Sequence, residues 1–196
     1  TQMRQLACQY IASIPGKGKD VKPTEVRKLF SGKKVNRFTR KMETPKPYIV
    51  QFFNAPCDYN LRNDVLADYA SNILSMELLK AVREDAGATY NIGANVQLLY
   101  STEQPRVLTS IKTPISEPAK VDTAITIIAD CMEKATKTID PEKVAKVKAN
   151  FMKNADVNLK RNSYWVGTIN AFVSKVIDVM TDYKKTVESV TPEDIA

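Results

Sequence analysis

Leu78-Leu79-Lys80-Ala81-Val82-Arg83-Glu84-Asp85-Ala86-Gly87-Ala88-Thr89-Tyr90 is where one periodicity gives way to another. Upstream, Leu61, Val65, Leu66, Tyr69, Ile73, Leu74, Leu78 and Val82 recur at three- and four-residue spacing. This predicts an amphipathic helix from Leu61 to about Asp85, with Asn60 as N-cap and Gly87 as its stop. Downstream, Tyr90, Ile92, Ala94, Val96, Leu98 and Tyr100 alternate with Thr89, Asn91, Gly93, Asn95 and Gln97, the period of a strand with one buried face. That phase turns Tyr90 towards the core and leaves an amide-rich polar face. A turn at Ser101 to Gln104 then leads into a second strand, Arg106 to Thr113, so the two strands form an antiparallel hairpin with a four-residue connection.

Working outward, Tyr48 to Asn54 reads as a strand ended by Asn54-Ala55-Pro56, and Val35 to Met42 as a polar, edge-like one. Thr1 to Ser13 carries Met3, Leu6, Ala7, Tyr10 and Ile11 at helical spacing and stops at Pro15-Gly16. So short a helix is marginal alone, and its apolar stripe needs something to pack on. Gly16-Lys17-Gly18-Lys19-Asp20 and Ser31-Gly32-Lys33-Lys34 read as turns. On the other side, Ser116 is expected to cap a helix to about Lys137, with Val121, Ala124, Ile125, Ile128 and Met132 facing the core. Asp140-Pro141 starts another to about Asn162, and Trp165, Ile169, Phe172, Val173 and Val176 mark a third. Thr191-Pro192-Glu193-Asp194 is a capping-box start only two residues before Ala196, which suggests a longer parent chain. The elements together predict an α+β domain, with helices packed on one face of a mostly antiparallel sheet.

Composition narrows the chemistry. The 196 residues include no His, so the chain supplies neither a Ser-His-Asp nor a Cys-His pair, nor a zinc motif of either His-Glu order. Cys8, Cys57 and Cys131 are far apart, without Cys-x-x-Cys spacing, and read as inert buried or half-buried thiols. No apolar run approaches the roughly 18 residues that span a bilayer. Charge is uneven: Thr1 to Pro47 holds 12 basic and 3 acidic residues, whereas the rest is slightly acidic. Such a run suits a solvated linker better than a nucleic-acid surface, because base-stacking aromatics are not interleaved with it.

The stretch quoted first resembles the pitrilysin/insulinase family of zinc peptidases. An Arg in the last helical turn, a Glu after it, a Gly that ends the helix and a Tyr seven residues beyond the Arg carry the likeness. Tyr10-Ile11-Ala12-Ser13-Ile14-Pro15 is similar to the segment closing the preceding domain there, and Lys46-Pro47-Tyr48-Ile49-Val50-Gln51-Phe52 to the strand opening the next. Val190-Thr191-Pro192-Glu193-Asp194-Ile195 is similar to its late helix start. The resemblance thus runs through nearly the whole chain, in order.

That resemblance implies two halves of paired α+β domains closing around a chamber, with zinc and the catalytic Glu on the parent's first domain. This chain corresponds to the last domain, which carries no metal. It divides into residues 1–15, the closing helix of the preceding domain, residues 16–46, a basic linker, and residues 47–196, the final domain. Arg83 and Tyr90 correspond to an Arg/Tyr pair that holds the scissile peptide and stabilises its transition state. The implied partners are a peptide or unfolded protein substrate and the parent's other domains or a paired subunit, in a bacterial periplasm or cell envelope. Alone, the fragment is expected to be inactive.

Plainer readings stand beside these. Arg83 also suits a cation folded onto the C-terminal carbonyls of its own helix. Glu84 and Asp85 diverge by about 100° on a helix and read as solvated carboxylates, not as an acid/base pair. Thr89, Asn91, Asn95 and Gln97 fit either chamber lining in contact with peptide backbone or a wet sheet face. Trp165 with Tyr164 suits core or inter-domain packing. Two other functions remain open: a non-catalytic peptide-binding or assembly subunit of the same fold, and a basic adaptor for nucleic acid or membrane.

Overall fold

A computed structural model describes residues 1–14, 24, 26, 28–101, 104–175 and 177–196. The turn expected at residues 16–20, the hairpin tip at residues 102–103 and Val176 lie outside the described residues. Helix α1 is Gln2–Tyr10. Strand β1 (Tyr48–Pro56) is followed by α2 (Leu61–Leu78), which continues as a π-helical turn, Leu79–Asp85. Strands β2 (Ala94–Leu99) and β3 (Arg106–Pro114) come next, then a 3₁₀ turn, Pro118–Lys120. The remaining helices are α3 (Val121–Ala135), α4 (Pro141–Asn158), α5 (Asn162–Lys175), α6 (Tyr183–Ser189) and α7 (Pro192–Ile195).

The three strands make one antiparallel sheet in the order β1-β3-β2. Tyr48 stands opposite Pro114, and Ala94 opposite Ile111. Period 2 then puts Ile49, Ile111, Thr113 and Ala94 on the inner face, where all four are buried. Helix α2 covers that face. Its Leu74 and Leu78, with Val82 of the π turn, join Ile49, Ile92, Ile111, Ile115, Ala124 and Ile128 in one core. The other side of α2 presents Val65, Tyr69 and Ile73 to Val144 and Val147 of α4 and Val187 of α6 in a second. Tyr69 meets Phe151 edge-on at 4.9 Å, and its hydroxyl donates to Val187 O at 3.1 Å. The α+β architecture with helices on one sheet face is the expected one.

Three polar contacts hold β2 against α2. Ser71 Oγ donates to Ala94 O at 2.9 Å, Ser75 Oγ approaches the same oxygen at 3.1 Å, and Ala94 N–H donates to Ser75 Oγ at 2.9 Å. Gly93 lies beside this contact, and a Cβ there would meet Ser75 Oγ at 3.4 Å, an ordinary packing distance.

Several caps fall where expected. Asn60 Oδ1 accepts from Asn63 N–H at 2.8 Å, Asp140 Oδ1 accepts from Glu142 N–H at 2.9 Å, and Thr191 and Asp194 form the capping box. Gly87 ends its helix in the left-handed region, at φ +56°.

Other expectations are corrected. Val35 to Met42 is not a strand; the segment is coil, and its Arg37 pairs with Asp122 at 3.2 Å. Strand β1 outlasts the expected breaker, because Pro56 lies on an edge strand where a missing N–H is tolerated. Leu99 pairs with Arg106, so the hairpin connection exceeds four residues. Ser116 caps no helix: its N–H and Oγ both donate to Ala88 O, and Pro118 opens a 3₁₀ turn before α3. Helix α4 stops at Asn158, short of Asn162. Cys8 is exposed, whereas Cys57 and Cys131 are half-buried.

Helices α1 and α5 bury no residue. On α5, Val166, Ile169, Phe172 and Val173 are exposed, and Trp165 is outside the core, its indole N–H donating to Leu159 O at 2.8 Å. Lys175 Nζ anchors the far end of α5 on Tyr59 Oη at 2.7 Å.

Candidate functional site

The quoted stretch builds a cleft at the end of α2. In the π turn, Ala86 N–H reaches back five residues to Ala81 O at 3.2 Å, and Ala88 N–H reaches Val82 O at 2.9 Å. Val82 is fully buried while Arg83, Glu84 and Asp85 are exposed, so the widened turn presents its charged residues to solvent.

Beyond Gly87 the chain does not enter a strand at once. Ala88 and Thr89 are both buried, which breaks the alternation. Thr89 Oγ1 donates to Pro114 O at 2.6 Å and accepts from Thr113 Oγ1 at 2.9 Å and from Asn91 N–H at 3.3 Å. This anchor turns Tyr90 outward, 84% exposed. The expectation that Tyr90 faces the core is therefore wrong: β2 begins only at Ala94, and the phase of Ile92 and Ala94 does not extend back to it.

Arg83 and Tyr90 line one open cleft of about 320 Å³, together with Gly87, Thr89, Ser116, Glu117 and Lys120. Among the described residues Arg83 forms no hydrogen bond or ion pair. It does not fold onto the helix-end carbonyls as the plainer reading expected, and the carbonyl just past the helix, Gly87 O, is engaged from elsewhere. Lys120 Nζ donates to Gly87 O at 3.2 Å and pairs with Glu117 Oε1 at 3.2 Å. Lys120 and Glu117 went unread in the sequence and Ser116 was read only as a helix cap; all three lie about 30 residues away along the chain, and no local pattern joins them to Arg83.

The polar face divides. Thr89 lines the cleft but is buried in its own hydrogen bonds, so its expected place on a wet strand face is incorrect. Asn91, Asn95 and Gln97 are exposed and lie outside the cleft; Asn95 stands opposite Ser110, and Gln97 opposite Leu108.

No group of three His, Cys, Asp or Glu among the described residues can hold a metal ion. The half-buried thiols are poor nucleophiles: desolvation raises Cys57, aided by Asp58, and raises Cys131, aided chiefly by Glu77. What the cleft offers is a free guanidinium and a free phenol beside a lysine, a set that can hold a peptide carbonyl or a developing oxyanion.

The fold is that of a metallopeptidase-type α+β domain. A family model described as the peptidase M16 inactive domain matches residues 1–151, and the chain belongs to that family. The resemblance to pitrilysin/insulinase peptidases is thereby borne out.

Solved structures share the fold. The periplasmic protease PqqL from Escherichia coli superposes with a TM-score of 0.70 at 18% identity, over 99% of this chain and 22% of that one. The ferredoxin protease FusC, a mutant in complex with Arabidopsis ferredoxin, gives 0.64 at 19% identity, over 77% of this chain and 17% of its own. A peptidase M16 inactive domain from Pseudomonas fluorescens gives 0.55 at 14%, over 76% and 36%. The chain thus spans about a fifth of the length of the first two. No curated protein sequence matches it significantly.

Proposed function

We propose that this domain forms part of the peptide-binding chamber of a zinc endopeptidase and supplies Arg83 and Tyr90 to the substrate. The observation that carries this reading is that both side chains line one cleft while neither is used by the domain itself: Arg83 is unpartnered among the described residues, and Tyr90 stands in solvent. A cation left unpaired next to an exposed phenol contributes little to stability, so the arrangement suits a ligand. The Arg83 guanidinium holds the substrate carbonyl, and the Tyr90 hydroxyl donates to the same oxygen as negative charge develops there. Zinc bound on the parent's first domain supplies the activated water. This chain, with no His, supplies none of the zinc ligands that the family resemblance implies there.

In the same reading α1 belongs to the preceding domain, residues 16–46 connect it, and residues 47–196 are the final domain. The unburied apolar residues of α1 support that division. Asn91, Asn95 and Gln97 line the chamber wall along the extended peptide. A periplasmic setting and a protein substrate are proposed by likeness to PqqL, described as periplasmic, and to FusC, solved with ferredoxin.

The test is cleavage of a quenched fluorescent peptide by this fragment, by the intact protein, and by the intact protein after chelation. Cleavage by the untreated intact protein alone is the expected result. An intact protein inert towards a varied peptide set overturns the reading in favour of a non-catalytic, peptide-binding subunit.

A further inference from the structure

We propose that Lys120 is a positioning residue for Arg83: by engaging Gly87 O and the Glu117 carboxylate, which line the same cleft, it keeps that guanidinium available to substrate. The inference rests on the role proposed above for Arg83. It starts from an anomaly at the end of the helix. The last carbonyls of a helix lack partners, and a cation in the last turn ordinarily folds onto them. Arg83 is the basic residue of that turn, yet it makes no such contact among the described residues.

The two carbonyls that follow the helix are engaged from residues 116–120. Gly87 O receives Lys120 Nζ at 3.2 Å, and Ala88 O receives the Ser116 N–H at 2.9 Å. The other acceptor in the cleft that could capture a guanidinium is the Glu117 carboxylate. It too is engaged by Lys120, at 3.2 Å across one 3₁₀ turn. One ammonium therefore caps the carbonyl and neutralises the carboxylate. Lysine suits this task, as a compact charge with three donors that can serve two acceptors at once. An Arg83 captured by Glu117 would be lost to a substrate carbonyl.

Removal of Lys120 should release Gly87 O and Glu117 together, and Arg83 should then fold onto them. In the intact protein, Lys120→Met is expected to lower kcat/KM about tenfold, the scale of one charge-assisted hydrogen bond. Lys120→Arg should restore most of it, and Lys120→Met with Glu117→Gln should restore part, since a neutral amide competes less for the guanidinium. The thermal midpoint should move by no more than about 3 °C, because exposed ion pairs contribute little to folding.

The decisive arm is a double-mutant cycle. In an Arg83→Ala background, Lys120→Met should change kcat/KM by less than about twofold, as expected of a residue that acts only through Arg83. The same tenfold loss in both backgrounds, or no loss in the wild type, overturns the proposal while leaving the reading of Arg83 intact. If Arg83→Ala alone leaves turnover unchanged, the proposed function fails first, and the positioning role with it.

Discussion

The hydroxyls of Thr89 and Thr113 meet at 2.9 Å inside the domain, one residue away from a tyrosine that stands in solvent. Thr113 is fully buried, and its neighbour passes the hydrogen bond on to Pro114 O at 2.6 Å. Two strand-favouring residues thus fix the start of the β2 approach by side-chain bonds where no ladder yet exists.

Thr113→Val keeps the shape and removes the donor, so Thr89 Oγ1 loses a buried partner. A loss of about 1–3 kcal/mol is expected. Denaturant unfolding of the domain measures it, and a change below about 0.5 kcal/mol would show that the pair is not structural.

Arg83→Ala and Tyr90→Phe in the intact protein should each lower turnover by roughly 10²-fold, the scale for removal of a preorganised oxyanion donor. Neither group holds the fold, so melting curves should superpose on the wild type. Steady-state kinetics on one peptide decides; two variants with unchanged turnover would sink the assignment.

Gly87→Ala probes the turn that separates the pair. The position has φ +56° and open space where a Cβ would go, so the expected cost is backbone strain alone, about 1–2 kcal/mol. Gly87→Asn should cost less, because Asn enters the left-handed region more readily. Equal losses for the two would point to a steric cause that the structure does not contain.

Asp68 predicts a pH dependence. Desolvation, and then the charge of Asp64 one turn away, push its carboxyl up to about 6, and desolvation raises Asp64 as well. A folded pKa above the unfolded one means that the folded domain takes up the proton first as pH falls. Stability should therefore rise as pH is lowered through about 6 towards about 4, and be lost as pH rises through about 6. Asp178 and Asp194 are held low by hydrogen bonds from Thr181 and Thr191, so their contributions disappear only below the ordinary carboxylate range. Thermal melts at about pH 7.5 and 5.5 should show the gain in the wild type and a smaller one in Asp68→Asn. Parallel behaviour of the two proteins would remove Asp68 as its source.

The α2 helix, its caps and the hairpin were legible because they rest on periodicity and on residues adjacent in sequence. Arg83 and Tyr90 were singled out by the family resemblance, and the structure puts both on one cleft. Tyr90's direction was not legible, because alternation assumes a strand, and the side-chain bonds of Thr89 replace one there. Val35 to Met42 was misread as an edge strand: its apolar residues, Val35, Phe38 and Met42, do not alternate, and the segment is coil. Lys120 was invisible for a different reason: its work at Gly87 is set by tertiary geometry between residues 33 apart. The apolar residues of α5 located its helix but not its packing, since helical spacing reveals that a face exists and not what covers it.

The strand order carries a consequence for how the chain is made. Strands β1 and β2 never touch; both wait for β3, whose Pro114 pairs with Tyr48 and whose Arg106 pairs with Pro56. A ribosome must therefore deliver about fifty residues after β1 before that strand finds its first ladder partner. Until then Phe52 and Phe53, exposed even in the folded domain, are open to whatever holds nascent chains.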